Sequence, residues 1–200
     1  MAVAHYVPAA GFRWLLPLYD PLIALFTREQ KWRGMILDSL ELKPNDVLVD
    51  VGSGTGTLAI MAKQHMPRAE VIGIDPDPDA LARSHRKAAR KAPSVTFVQG
   101  FGGDVAKVVG VGRATKAVSS MVFHHMAPEI QVQTIASMRD ALAPGGLLRI
   151  ADFVEGRFEG PSEARLISDL KAAGFKNVRT IARFRLALSN AALIGGEKPR

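Results

Sequence analysis

The chain has no cysteine among its 200 residues. That absence removes disulfides, thiolate metal sites and cysteine nucleophiles, and nothing in the chain calls for an oxidising compartment. Long apolar runs are also lacking. The nearest approach, Phe12 to Phe26, is interrupted by Arg13, Pro17, Asp20 and Pro21 and has no small-residue cleavage site behind a clean apolar core. Neither a signal peptide nor a membrane span is expected from it, and a cytoplasmic protein is. Acidic side chains are in the minority, 19 against 26 Lys and Arg, which leaves a formal net charge of +7. That balance favours an anionic partner without choosing among a phosphorylated substrate, an acidic membrane surface and nucleic acid. The densest basic run, Arg83, Arg86, Lys87, Arg90 and Lys91, has the spacing of one helix face with no aromatic interleaved, and reads as solvated surface rather than a nucleic-acid site. With 48% hydrophobic residues, no internal repeat and no low-complexity linker, one folded domain is expected.

From Val47 onward, short β-branched runs alternate with longer amphipathic segments, the pattern of β-α-β units and a parallel sheet covered by helices. Strands are expected at Val47 to Val51, Glu70 to Ile74, Val95 to Gln99, Ala117 to Val122 and Leu147 to Phe153. Helices are expected at Thr57 to His65, Pro78 to Ala92 and Pro128 to Leu142, with a short one at Val105 to Val109 in a glycine-rich stretch. A last helix, Ser162 to Ala173, is closed by Gly174, and an antiparallel pair, Asn177 to Phe184 and Leu186 to Ile194, follows it. Residues 1–46 read as an N-terminal helical extension ahead of the domain at 47–200, with Thr27 to Leu40 its better amphipathic helix. The apolar Ala9 to Phe26 reads as core packing or a lid over a hydrophobic or lipid-like acceptor, with Arg13 and Arg28 placed for phosphate and peripheral membrane contact as the alternative.

The run Asp50-Val51-Gly52-Ser53-Gly54-Thr55-Gly56 ends a buried strand in a glycine turn that leads straight into a helix. Glycines let the backbone approach a ligand closely, and the helix N-terminus presents free N–H groups, so this is nucleotide-site chemistry. Two details separate it from a dinucleotide site. Thr57 stands where G-x-G-x-x-G needs its third glycine, and Asp50 at the strand end would repel a pyrophosphate but attract a cationic ligand. Asp75 ends the second strand 23 residues after Gly52, placed to accept both hydroxyls of a ribose, or else to cap the helix that begins near Pro78.

These residues, with Leu142-Ala143-Pro144-Gly145-Gly146-Leu147 before the fifth strand, resemble the class I S-adenosylmethionine (SAM) dependent methyltransferases, nearest to the small-molecule enzymes of ubiquinone and menaquinone biosynthesis. The resemblance runs from Val47 to Ile194. It implies a Rossmann-like α/β fold with a seven-stranded, mostly parallel sheet of order 3-2-1-4-5-7-6 and an antiparallel last strand, and SAM as cofactor. It further implies that Gly52, Ser53, Gly54, Thr55 and Gly56 line the methionine and ribose, that Asp75 takes the ribose hydroxyls and Pro76 the adenine edge, and that Ser120 sits beside the methyl. After the third strand the family's acidic or amide residue is replaced by Gly100-Phe101, so adenine is left to Phe101 stacking or to Asp104 after a loop shift.

The fourth strand leads into His124 and His125, where strand carboxyl ends gather ligands, so either imidazole is a candidate base for methyl transfer to O, N or an activated C atom. Packing histidines are the alternative, and no metal is expected, because adjacent histidines diverge and no carboxylates complete a site. Asp152 is a candidate for orienting substrate or for capping a turn. Two other functions remain: an RNA methyltransferase, which the charge permits although no Asn-Pro-Pro-aromatic run is present, and a non-catalytic SAM-binding protein acting through a partner. A nicotinamide-dependent oxidoreductase is opposed by Asp50, Thr57 and the Pro-Gly-Gly turn.

Overall fold

A computed structural model describes residues 29–92, 94–155, 160–186 and 189–200. The expected lid from Ala9 to Phe26, with Arg13 and Arg28, lies outside the described residues. In chain order the elements are α1 (Glu29–Leu40), β1 (Val47–Val51), α2 (Thr57–His65), β2 (Glu70–Asp75), α3 (Pro78–Lys91), β3 (Thr96–Gln99), α4 (Val105–Val109), β4 (Ala114–Ser120), α5 (Pro128–Ala141), β5 (Leu142–Glu155), α6 (Glu163–Ala172), β6 (Lys176–Leu186) and β7 (Ser189–Glu197). Single turns of 3-10 helix precede α4 at Gly102–Asp104 and follow β4 at Phe123–His125.

The strands form one sheet in the order β3-β2-β1-β4-β5-β7-β6. The central pairs are parallel, and β7 runs antiparallel between β5 and β6. Because side chains alternate along a strand, each central strand feeds two cores. Leu48 and Val118 pack with Trp32, Ile36 and Leu40 of α1, Leu58 and Ala62 of α2 and Leu81 and Ala88 of α3. Val49, Ala117 and Ile150 pack with Val105 and Val109 of α4, Ile135 and Met138 of α5 and Leu166 and Leu170 of α6. The sheet is therefore buried on both faces, and its ligand-accessible edge is the carboxyl end of β1, β2 and β4.

The structure corrects the expected strand limits by one residue at β2, which ends at Asp75, and at β3, which begins at Thr96, and by more at β4, β5, β6 and β7, the last running from Ser189 to Glu197 rather than from Leu186 to Ile194. β4 begins at Ala114 because the Thr115 hydroxyl donates to Asp46 Oδ1 at 2.7 Å and accepts from the Val47 N–H at 3.0 Å, tying a polar stretch into the sheet. It ends at Ser120, two residues early, because Met121 turns into the left-handed region at φ 58°. β5 begins at Leu142, which pairs with Ala114, and the Gly145 N–H donates to the Lys198 carbonyl at 2.9 Å, so the Pro-Gly-Gly run lies inside a paired segment. Leu186 closes β6 rather than opening β7. Among the described residues no helix is long and apolar enough to cross a membrane.

Candidate functional site

The turn after β1 is held down on β2. The N–H groups of Gly52 and Ser53 donate to the Ile74 carbonyl at 2.8 and 3.0 Å, and the Gly54 N–H donates to Asp75 Oδ2 at 2.7 Å. Gly52, Gly54 and Gly56 all have φ between 53° and 75°. A side chain on Gly56 would start 2.5 Å from Phe97 Cζ, whereas one on Gly54 would meet no atom within 4 Å. Gly56 is therefore needed for packing, and Gly54 leaves bare backbone facing open space, the arrangement that lets a ligand lie against the chain. Gly56 caps α2 without a side-chain acceptor, so the first amides of that helix keep their donors.

Strand alternation sends Asp50 to the face of Leu48, beneath α1 and the start of α2. Its carboxylate is fully buried, and neither oxygen has a hydrogen-bond partner. Burial pushes its pKa up to about 7; the Arg33 guanidinium pulls it back, Asp75 raises it further, and the Ala59 amide lowers it without closing a hydrogen bond. Arg33, on α1, donates through Nε to Glu29 Oε1 at 2.8 Å, places Nη1 3.4 Å from Ser120 Oγ and lies over the Trp32 ring. A guanidinium and an unpartnered carboxyl thus meet at the ends of β1 and β4. The sequence reading named Asp50 and Ser120 but missed Arg33, since a lone arginine on an amphipathic helix carries no local signal that it faces inward.

Asp75 is not the cap of α3. That role falls to Asp77, whose Oδ1 accepts from the Asp79 and Ala80 N–H groups at 2.8 and 3.4 Å. Asp75 instead fixes two loops at once, accepting from Gly54 N–H and, at 2.9 Å, from Asp77 N–H. Burial raises its pKa against those two amides. Each of its oxygens retains a lone pair for a further donor. Pro76 presents its carbonyl to Gln99 Nε2 at 3.1 Å, joining the ends of β2 and β3. Beyond them Phe101 is 53% exposed, while Asp104 turns its carboxylate back to the Phe101 N–H at 3.4 Å. Of the two candidates for an adenine, Phe101 is the side chain left free.

At the carboxyl ends of β4 and β5, Asp152 organises a compact cluster. Its Oδ2 accepts from the N–H groups of Val122 and Phe123 at 2.9 and 2.7 Å, and its Oδ1 accepts from Phe153 N–H and contacts His124 Nδ1, both at 2.7 Å. The first two bonds hold Val122 and Phe123 out of the sheet ladder, just past the left-handed Met121 at which β4 ends. The contact to His124 assigns Nδ1 as the donor and leaves Nε2 with its lone pair. His125 lies against His124 with ring centroids 3.9 Å apart and planes inclined by 43°, and burial, then His124, push its pKa down, with Asp152 opposing. The pairing of His124 with Asp152, named separately in the sequence, is nonlocal and needed the fold. Among the described residues no three His, Asp or Glu side chains come together as a metal site.

The basic run on α3 divides. Arg86, Arg90 and Lys91 are exposed, but Lys87 donates to Thr57 Oγ1 at 2.8 Å and to Thr55 Oγ1 at 3.3 Å, bracing the glycine turn. For Lys87 the solvated-surface reading is corrected.

A doubly covered sheet of this order with a glycine turn at β1 defines the Rossmann-like methyltransferase fold, and comparison with known proteins agrees. Residues 48–146 match the model of a methyltransferase domain. The demethylmenaquinone methyltransferase of Thermus thermophilus is 34% identical over 146 residues, 71% of this chain and 64% of that protein. The acetylserotonin O-methyltransferase of Mus musculus is 31% identical over 164 residues, 79% of this chain and 42% of that protein. The phosphoethanolamine N-methyltransferase 2 of Haemonchus contortus, solved with phosphomonomethylethanolamine and S-adenosylhomocysteine, superimposes with a TM-score of 0.73 at 14% identity, covering 85% of this chain and 53% of that one. The chain belongs to the methyltransferase-domain family, and SAM is the cofactor that its resemblance to the class I enzymes implies. It spans less than two thirds of the length of these curated relatives.

The residues present fit that cofactor. SAM carries an ammonium and a carboxylate on its methionine part; the chain offers a buried carboxyl with no partner in Asp50 and a guanidinium in Arg33. The open side of Gly54 provides room for the ligand against the backbone.

Proposed function

We propose that the chain methylates a hydroxyl oxygen of a small molecule, using His124 as the base. Asp50 takes the ammonium of SAM, Arg33 and Ser120 its carboxylate, the backbone of Gly52, Ser53, Gly54, Thr55 and Gly56 runs beside the methionine and ribose, Asp75 accepts from the ribose hydroxyls, and Pro76 and Gly100-Phe101 border the adenine. SAM supplies a methyl carbon made electrophilic by the sulfonium, which leaves as a neutral thioether when the acceptor's lone pair takes the methyl. The hydroxyl proton passes to His124 Nε2, while Asp152 holds the ring in the tautomer that can receive it. His125 stays beside it as the uncharged neighbour that its lowered pKa favours.

The observation that carries the choice of acceptor is the 2.7 Å contact between His124 Nδ1 and the buried Asp152. An oxygen acceptor with a proton to lose needs such a base, and the name of the acetylserotonin relative describes O-methyl transfer. We take residues 1–46 as a cover for the domain at 47–200, a reading that the inward position of Arg33 supports, and the cytoplasm as its setting.

The test is incubation with methyl-labelled SAM and a panel of phenols. Labelled methyl ethers are expected from the wild type. His124→Ala and Asp152→Asn should lower kcat about 10²- to 10⁴-fold while SAM affinity stays within about twofold. SAM binding without transfer to any hydroxyl would remove the reading and leave the family assignment standing.

A further inference from the structure

On the face covered by α5 and α6, an open cavity of about 480 Å³ adjoins His124; Met126, Gln131, Pro161, Ser162 and Arg165 are among its walls. That volume is enough to hold a ring-sized molecule. Gln131 is buried, and its orientation is fixed by its surroundings. Its side chain contacts two carbonyl oxygens, those of Phe123 at 2.9 Å and Met126 at 3.1 Å, so the amide nitrogen must face both. The side-chain oxygen is then left buried without a donor. An unmet buried acceptor costs about 1–3 kcal/mol, so a ligand bringing an N–H or O–H gains by meeting it.

Arg165 supplies the opposite chemistry. Its backbone N–H is capped by Ser162 Oγ at 3.2 Å, and its Nε donates to Asp169 Oδ2 at 2.9 Å. Asp169 therefore fixes the plane of the guanidinium through one nitrogen and leaves the two terminal nitrogens, the pair that matches a carboxylate in bidentate fashion. Met126, Pro128 and Pro161 give the space between these groups apolar walls.

We propose that this cavity selects the acceptor as a ring-sized hydroxy acid. Its carboxylate binds the terminal nitrogens of Arg165, a second hydrogen donor binds Gln131 Oε1, and its reacting hydroxyl lies at His124. The inference rests on the reading of His124 as the base and narrows it to an anionic substrate class. Arg165 and Gln131 act as specificity residues and do not touch the transferring methyl.

The experiment measures binding to the full chain saturated with S-adenosylhomocysteine, by calorimetry, using 3,4-dihydroxybenzoate, its neutral amide 3,4-dihydroxybenzamide, and 4-hydroxybenzoate, which lacks the second donor. The wild type should prefer the dihydroxy acid over the amide by about tenfold or more, and Arg165→Met should erase that preference without weakening the amide. Removing the second hydroxyl should cost about tenfold in both proteins, which tests Gln131 from the ligand side without disturbing the turn it supports. Equal affinity for acid and amide, a preference that survives Arg165→Met, or no saturable binding by either acid would overturn the proposal. Labelled methyl transfer, measured separately, distinguishes the two readings. Acids that bind as expected but are never methylated count against His124 as the base, whereas methylation indifferent to the carboxylate counts against the cavity assignment.

Discussion

Asp50 is a carboxyl with no hydrogen-bond partner, buried beside a guanidinium, and its pKa of about 7 makes it a proton carrier in the physiological range. The sign of the consequence follows from linkage. In the folded chain without ligand, Asp50 holds its proton below pH 7; an ammonium seated against it, as proposed, would favour the charged form, so SAM binding would expel that proton. SAM affinity should therefore strengthen as pH rises toward 7 and level off above it, and calorimetry in buffers of different ionisation enthalpy should register proton release near neutrality. Stability runs the other way. The folded pKa lies above the ordinary value of 3.8, so the folded chain binds more protons than the unfolded one between about pH 4 and 7, and Asp50 withdraws stability as pH rises through that window. Asp50→Asn should accordingly melt higher than the wild type at pH 8 without ligand, yet bind SAM more weakly and with little pH dependence. A variant that melts lower at pH 8 would show that Asp50 is charged and satisfied in the free protein. At this scale the sequence was legible where the chemistry is local: Asp50 and the three glycines of the turn stand within seven residues. Arg33 comes from 17 residues upstream, and Asp152 reaches His124 from the neighbouring strand, 28 residues further along the chain. Only the folded chain brings those partners together.

Among the elements, α1 is the one on which the site leans without being part of the sheet. Arg149 of β5 ties down its last turn, donating through Nε and Nη2 to the Ser39 carbonyl at 3.2 and 2.8 Å, and through Nη1 to Leu148 O at 2.9 Å. A cation at a helix C-terminus also meets the negative end of the helix dipole. Arg149→Met should cost roughly 2–4 kcal/mol of stability and speed hydrogen exchange in α1. Because Arg33 rides on the same helix, SAM affinity should fall too, although Arg149 is remote from the cofactor. Unchanged exchange in α1 would separate the helix from this anchor. The helices were the more legible elements: α2 and α4 match their expected limits, because a proline, a glycine or a threonine opens or closes each periodic run. Strand limits were less so. Thr115 and Lys116 lack the β-branched apolar character that marks a buried strand, and no local pattern announces that Met121 turns left-handed or that Leu142 to Gly146 pairs along β5.

Across the whole molecule, the two cores share one sheet, so the fold should melt as a unit and report ligand binding globally. SAM at a hundred times its Kd should add about 2.7 kcal/mol and raise Tm by roughly 5–10 °C. The alternation of buried strands with helices made the α/β class readable in the sequence, whereas the order β3-β2-β1-β4-β5-β7-β6 came from the family resemblance, since strand adjacency leaves no trace in local pattern. The excess of positive charge, by contrast, did not define the site: one cation of the basic run braces the glycine turn, and the cation that acts on Asp50, Arg33, lies on another helix. The measurement that bears most directly on the account is a calorimetric titration with SAM of the wild type, Asp75→Ala and Arg33→Met at pH 8. Saturable binding is expected, weakened about a hundredfold by loss of the Asp75 contacts and about tenfold by loss of the Arg33 charge. SAM binding that is indifferent to both substitutions, or absent from the wild type, would contradict the placement of the cofactor at the ends of β1, β2 and β4.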